Sequence, residues 1–336
     1  MKRIVFVAAA LMMALTGVAQ DAFRVMFYNV ENLFDTLDQA NVQDEEYTPI
    51  SRKKWTSARY HEKLEHMASV IEAYDKENLP EILGLCEVEN RGVVEDLINK
   101  TVLKDNGYKV VHEDSPDNRG IDVALIYEAA SFTYKSHKTY RIPLPGERPN
   151  TRDILHVEGT VPSGQTVHIF VNHWPSRSGG KEKSEPKRML VASKLREVID
   201  GIQEKDAEAN IIVMGDLNDH PIDKSVFESL NARHNKKPGK PGELYNLMYQ
   251  YHEDGTGTHN YKGEWGVLDH LIVSHSLLNA KKGLSIATDG AKIHKQEFFL
   301  FTKKDGTKIP NRTYGGPNYY GGYSDHLPVV AEFEVK

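Results

Sequence analysis

The feature that most constrains this chain is a set of short apolar runs without polar alternation, of which Ile211-Ile212-Val213-Met214 and Ile82-Leu83-Gly84-Leu85-Cys86 are the clearest. A strand with one wet face alternates apolar and polar residues, so such runs must be covered on both faces, by helices on one side and a second layer on the other. Counting these two, β-rich runs fall at residues 23–30, 82–88, 108–113, 121–127, 154–161, 167–172, 211–214, 268–274 and 329–335. Helical patterns at residues 57–74 and 185–203 gather apolar side chains on one face, with Leu64, Met67, Ala68, Ile71 and Tyr74 in the first and Met189, Leu190, Ala192, Leu195, Val198, Ile199 and Ile202 in the second. These read as amphipathic covers. The runs at 154–161 and 167–172 flank Pro162-Ser163-Gly164-Gln165 and predict a hairpin. Strands and helices thus interleave without a regular strand–helix–strand repeat, which points to an α/β architecture with mixed sheets.

Composition narrows the class. With 39 % hydrophobic and 27 % charged residues, the chain has the apolar mass for a substantial core. The loops at 38–55, 141–151, 176–184, 235–243 and 303–323 lack the composition of a domain linker, so a single domain over residues 20–336 is expected. A formal charge of -6 excludes coating of nucleic acid by bulk electrostatics, which needs clustered Lys and Arg. Any polyanion must be met locally. At the N-terminus, Lys2 and Arg3 precede an apolar run from Ile4 to Leu15 and the small-residue stretch Thr16-Gly17-Val18-Ala19, the layout of a secretory signal. That run is shorter than the roughly 20 residues that span a bilayer. Residues 1–19 are therefore expected to be a signal peptide cleaved after Ala19, leaving an exported protein, periplasmic or extracellular, with no membrane anchor. The only cysteine, Cys86, lies inside an apolar run and reads as a core residue.

Polar residues recur where the apolar runs end, positions that are rigid yet open to solvent. They are Asn29 in Tyr28-Asn29-Val30-Glu31-Asn32, Glu87 in Cys86-Glu87-Val88-Glu89-Asn90 and His173 in Asn172-His173-Trp174. Three more follow: Asp216 and Asn218 in Gly215-Asp216-Leu217-Asn218-Asp219, Asp269 in Leu268-Asp269-His270, and Asp325-His326 in Ser324-Asp325-His326-Leu327-Pro328. Alone, a Gly-Asp-Leu-Asn turn is an ordinary strand-to-helix cap. All six together, in this order, resemble the endonuclease/exonuclease/phosphatase superfamily from Phe23 to the C-terminus.

The resemblance implies a deoxyribonuclease I-like fold, a four-layer α/β sandwich with two mixed β-sheets packed face to face and helices outside. It also implies roles. Glu87 resembles the principal carboxylate ligand of Mg²⁺, with Mn²⁺ or Ca²⁺ as alternatives, and Asn29 and Asp325 resemble further metal or water ligands. Asp216 and Asn218 resemble the pair that holds the attacking water and a phosphate oxygen. His326 with Asp269 resembles the dyad beside the scissile phosphorus, and His173 the second histidine, for which Asp122 in Arg119-Gly120-Ile121-Asp122 is a candidate partner. Such a set makes chemical sense for a phosphodiester, whose hydrolysis needs neutralised oxygens, an activated water and a stabilised leaving oxygen. With His173 as proton donor, its loss is expected to matter most for poor leaving groups.

One position departs from the deoxyribonuclease I pattern: Glu89 stands where that group carries Arg. Asn90, Arg119 or Arg177 in Pro175-Ser176-Arg177-Ser178-Gly179-Gly180 are the expected substitutes for that phosphate contact. The loop 314–323, rich in Tyr and Gly, and Tyr261 with Trp265 could stack on a base or sugar, or merely pack their loops down. The expected activity is an exported, monomeric, divalent-metal-dependent endonuclease on nucleic acid. The alternative is a phosphatase or phosphodiesterase on inositol phosphates, phospholipid head groups or other small phosphoesters.

Overall fold

The computed structural model describes residues 22–145, 150–234, 239–278 and 280–336. The expected signal peptide at 1–19 lies outside the described residues. The strands run, in chain order, β1 (Ala22–Leu33), β2 (Ile82–Val88), β3 (Tyr108–His112), β4 (Asp122–Glu128), β5 (Thr133–Tyr140), β6 (Ile154–Thr160) and β7 (Thr166–His173). They continue with β8 (Asn210–Asp216), β9 (Ala232–His234), β10 (Leu244–Asn246), β11 (His259–Tyr261), β12 (Glu264–Gly266), β13 (Asp269–Ser274) and β14 (Leu284–Ile293). The last are β15 (Leu300–Thr302), β16 (Lys308–Pro310), β17 (Tyr314–Gly315), β18 (Asn318–Tyr319) and β19 (Val329–Val335). The helices are α1 (Ser57–Glu72), α2 (Arg91–Asn99), α3 (Lys181–Gln203) and α4 (Tyr249–Glu253).

Two mixed sheets hold the main strands, in the orders β14-β19-β1-β2-β4-β3 and β5-β6-β7-β8-β13-β10-β9. Strand β1 runs parallel to β2 and antiparallel to β19, while β7 runs parallel to β8. Both faces of each central strand are buried, as the unbroken apolar runs require. Phe27, Leu125, Val171, Met214 and Leu271 fill the space between the sheets. Met26 and Leu83 pack outward against Leu64 and Met67 of α1 and Leu97 of α2. Phe170 and Ile211 pack outward against Leu195 and Ile199 of α3. The result is the expected four-layer sandwich, in which each large apolar side chain contributes about 1.5–3 kcal/mol on burial. At Gly84 the packing between the sheets leaves no room for a side chain, since a Cβ would lie 2.2 Å from the Met214 sulfur. Gly84→Ala would require the Met214 side chain to move aside.

Thr56 caps α1 by accepting from the Arg59 amide, and Asn90 caps α2 by accepting from the Val93 amide. Helix α3 begins four residues ahead of the apolar pattern that predicts it, after Gly180 at φ +108°. Its buried face also differs in detail: Leu190 is exposed, and Arg188 is fully buried because its Nε lies 2.6 Å from Asp219 Oδ2. Among the described residues no helix is long and apolar enough to cross a membrane. Cys86 is buried and unpaired, as expected.

Candidate active site

The site forms where the carboxyl ends of β1, β2, β7 and β8 meet the start of antiparallel β13. In the second sheet His173 pairs in register with Asp216, and Asp216 with Asp269, so three polar side chains form one row across neighbouring strands. The facing sheet supplies Asn29 and Glu87. The Asn29 Nδ2 donates to Asp216 Oδ2 at 3.1 Å, joining the two sheets by a buried hydrogen bond. The His173 Nε2 lies 3.8 Å from both Glu87 Oε1 and Asp216 Oδ2. His326, just ahead of β19, sets its Nδ1 2.7 Å from Asp269 Oδ2 and its Nε2 3.8 Å from Asp216 Oδ2. Asp325 pairs with Arg312 at 3.0 Å.

The backbone is bent to aim these groups. Glu87 sits at φ +62°, opposite a break in the β2–β4 register between Cys86 and Val88. A side chain other than Gly or Asn rarely occupies that left-handed region, and the cost is roughly 1–3 kcal/mol. The Asn32 amide donates to Glu87 Oε2 at 3.1 Å, which fixes one carboxylate oxygen and leaves Oε1 toward His173. Asn218 is also left-handed, at φ +53°, a conformation Asn tolerates. Its amide donates to Asp216 Oδ1 at 2.9 Å and its Nδ2 to the Trp174 carbonyl at 3.1 Å.

Burial sets the protonation pattern, and neighbouring charges modify it. Burial pushes Asp216 up to about 7, with His326 opposing and Asp269 adding to the rise. Burial alone would lower His326, but the Asp269 and Asp216 carboxylates override it and hold the imidazolium well above the usual histidine range. Burial, then the charges of Arg152, Arg119 and His326, push His173 well below that range, so it is neutral. Burial would raise Asp325, but His326, His259 and Arg312 hold it below the usual carboxylate range. The charged imidazole is thus favoured at His326 and disfavoured at His173.

Three expectations meet a different arrangement. Asp122 is not the partner of His173. Its Oδ2 lies 3.1 Å from His112 Nε2 on the neighbouring strand β3, and its Oδ1 accepts from the Ser115 amide at 2.8 Å. The His173 Nδ1 is instead buried without a partner. Asn90 spends its side-chain oxygen on the α2 cap. Arg177 directs its guanidinium inward, to the Asn218 carbonyl at 2.8 Å and to Asp223 at 2.8 Å. Arg119 stands half-exposed on Asp117, close enough for its charge to act on His173. Glu89 is buried, accepts from the Asp35 amide at 2.6 Å, and is raised by burial to about 8.

Sequence reasoning passed over four residues that the fold brings here. Arg152 is buried and donates to the His173 carbonyl at 3.1 Å, the Trp174 carbonyl at 2.5 Å and Asp117 at 2.9 Å, so it clamps the end of β7. His259 lies 4.7 Å from His326 between ring centres. Glu31 accepts from the Thr313 and Tyr314 amides, and Lys63 donates to Thr313 Oγ1 and the Tyr323 carbonyl, tying the loop ahead of Asp325 to β1 and α1. Glu31 lay in the quoted Asn29 motif and Lys63 in the helical pattern at 57–74; Arg152 and His259 sit in stretches with no distinguishing local pattern.

The donor set suits a hard divalent cation. Glu87, Asn29 and Asp325 offer oxygen, which Mg²⁺ prefers, and one Glu87 oxygen is left without a backbone donor. The ligand atoms of Asp216, Asp269 and His326 lie within 4.8 Å of one another, as do those of His259, Asp325 and His326; neither group includes Glu87.

This architecture is shared. An endonuclease/exonuclease/phosphatase family protein from Bacteroides thetaiotaomicron superposes with a TM-score of 0.58 at 14 % identity, over 94 % of this chain and 95 % of that one. A mannosyl-6-phosphatase from the same organism gives 0.57 at 15 % identity, over 93 % and 99 %. TDP2 from D. rerio, in complex with a single-strand DNA product, gives 0.54 at 13 % identity, over 94 % and 99 %. Among curated protein sequences no match to the chain is found. The sequence pattern of the endonuclease/exonuclease/phosphatase family matches residues 24–335, a span that begins in β1, ends in β19 and takes in every residue of the converged cluster, so the chain belongs to that family of metal-dependent phosphoester hydrolases.

Proposed function

We propose that this protein is an exported hydrolase that uses a divalent cation, Mg²⁺ or Mn²⁺, to direct water onto a phosphoester. The observation that carries the reading is the row His173, Asp216 and Asp269 facing Glu87 and Asn29 across the sheet interface. Glu87, Asn29 and Asp325 would hold the cation, which when bound neutralises phosphate oxygens. Asp216, with its carboxyl raised to about 7 by burial, is poised near neutral pH to take a proton from the attacking water, and the Asn218 side chain beside it positions that water. His326, kept protonated and fixed at Nδ1 by Asp269, presents Nε2–H to developing negative charge and supplies the proton to the leaving oxygen. Neutral His173 donates a hydrogen bond to the phosphate without giving up its proton. A signal peptide at 1–19 would export the mature chain, which acts as a monomer.

Between a nucleic-acid substrate and a small phosphoester, the charge layout favours the second. Three arginines near the site are held by carboxylates outside the cation set: Arg152 by Asp117, Arg177 by Asp219 and Asp223, and Arg188 by Asp219. The structural neighbours do not choose, since they include both a DNA-bound protein and a sugar phosphatase. The test is hydrolysis of an aryl phosphodiester with Mg²⁺: activity is expected to vanish with chelator and return with Mg²⁺ or Mn²⁺. Full activity in excess chelator would overturn the assignment.

A further inference from the structure

A cavity of about 640 Å³ lies beside the catalytic cluster, between the turn at residues 178–181 and the β11–β12 hairpin. The chemistry above does not use it. Asn218 and His259 line it, and His259 sets its ring against His326 and its Nε2 4.0 Å from Asp325, so the cavity opens onto the scissile position. Its size is that of a small-molecule site, about 300–1,000 Å³, rather than of a groove for a polymer.

The lining narrows the occupant further. Arg177 and Lys181 face the cavity, yet both are bound to Asp223, at 2.8 and 2.5 Å. Glu264 is an exposed carboxylate in the same wall. A polynucleotide would bring flanking phosphates against that carboxylate, and the two cations beside it are already engaged by Asp223, whereas polyanion binding needs free Lys and Arg along its path. What the wall does offer is the ring of Tyr261, 64 % exposed, the half-buried ring of Trp265, the Ser178 hydroxyl and the Glu264 oxygens. Flat aromatic faces pack against the C–H faces of a ring, and a carboxylate and a hydroxyl satisfy its hydroxyl groups.

We propose that this cavity is the enzyme's specificity subsite and seats one uncharged, hydroxylated sugar ring attached to the scissile phosphate, so that the preferred substrates are small sugar phosphoesters. The inference rests on the hydrolase reading above. The ring could be that of a free sugar ester or of a nucleoside, and the experiment has an arm for each.

Steady-state kinetics with Mg²⁺ would compare p-nitrophenyl phosphodiesters of a hexose and of thymidine with methyl p-nitrophenyl phosphate and a single-stranded oligonucleotide. At least one sugar ester is expected to exceed both the methyl ester and the oligonucleotide, per bond, by about tenfold or more in kcat/KM. Tyr261→Ala should erase most of that preference, chiefly through KM, and Glu264→Lys should raise oligonucleotide cleavage by about tenfold. Tyr261 and Glu264 are both exposed, so both variants are expected to fold. A wild-type preference for the oligonucleotide over both sugar esters, or substrate ratios unchanged in both variants, would overturn the subsite while leaving the hydrolase reading intact. No turnover of any of the four diesters, nor of a hexose phosphate monoester, with Mg²⁺ would overturn both.

Discussion

Strand β7 carries two histidines five residues apart, and they have opposite fates. His168 points outward at the start of the strand, where its Nδ1 meets His156 Nε2 at 3.1 Å beside a cavity of about 810 Å³ at the far end of the sandwich. His156 in turn stacks on Phe170 at 4.3 Å. His173 points inward at the end of the strand, with its Nδ1 unpartnered and its Nε2 held 3.8 Å from two carboxylates. Burial lowers both histidines, so a perturbed titration does not separate them. The difference lies in satisfaction: one ring has its partner, while the other converges with unmet polar groups on a common point. An odd spacing along a strand sends side chains to opposite faces, and only one face of β7 looks into the gap between the sheets.

The comparison breaks first at Glu87. Glu87→Gln keeps the shape of the cluster but removes the charge that would hold a cation, and turnover should fall by about 10³ or more, because bound metal contributes several kcal/mol to such reactions. Activity assays across a Mg²⁺ titration check this, with circular dichroism to show that the variant folds. Next is His326→Ala, expected to lower kcat by about 10² to 10⁴, with the loss growing as the leaving group becomes poorer. His173→Ala should cost less, about 10²-fold, and equally across a leaving-group series, since a neutral imidazole gives a hydrogen bond rather than a proton. A steeper leaving-group dependence for His173→Ala than for His326→Ala would reverse the assignment of the two rings.

The smallest effect on turnover belongs to the far end. His156→Phe should leave kcat/KM unchanged and alter acid stability alone. Burial, with help from His168 and Lys138, lowers His156 to about 3. A histidine kept neutral in the fold is protonated first in the unfolded chain, so its contribution is intact above about pH 6.5 and is lost as pH falls toward 3, by up to about 1.4 kcal/mol per pH unit. Denaturant midpoints measured from pH 7 to pH 4 should fall less steeply for His156→Phe than for the parent. An identical slope would mean that the pair is solvated.

Much of the fold was legible because its signals are local. The two-sided burial of runs such as Ile211-Ile212-Val213-Met214 dictated covering layers, and the chain folds that way. Strand β5 was missed because Thr133–Tyr140 is polar and mostly exposed at a sheet edge, where nothing forces apolar residues. Helix α2 was missed because nine residues give too few turns for periodicity to register. In the site, strand-end residues were readable since the strands themselves were. Partners were not. Asp122 was assigned to His173 when His112 holds it, and Arg152 went unnoticed, because which sheet a strand joins is decided by long-range pairing that leaves no local mark.

The antiparallel pairing of β1 with β19 brings Phe27 beside Val329 and thereby sets Asn29 near His326. Of the strands described, β1 is synthesised first and β19 last, so the cluster cannot close until β19 has been made. Contacts of such long sequence separation also form late and slowly. A chain that reaches only β13 carries Glu87, His173, Asp216 and Asp269 but lacks His326 and the strand that positions it, so in such a chain the cluster stays incomplete however well the earlier strands pair.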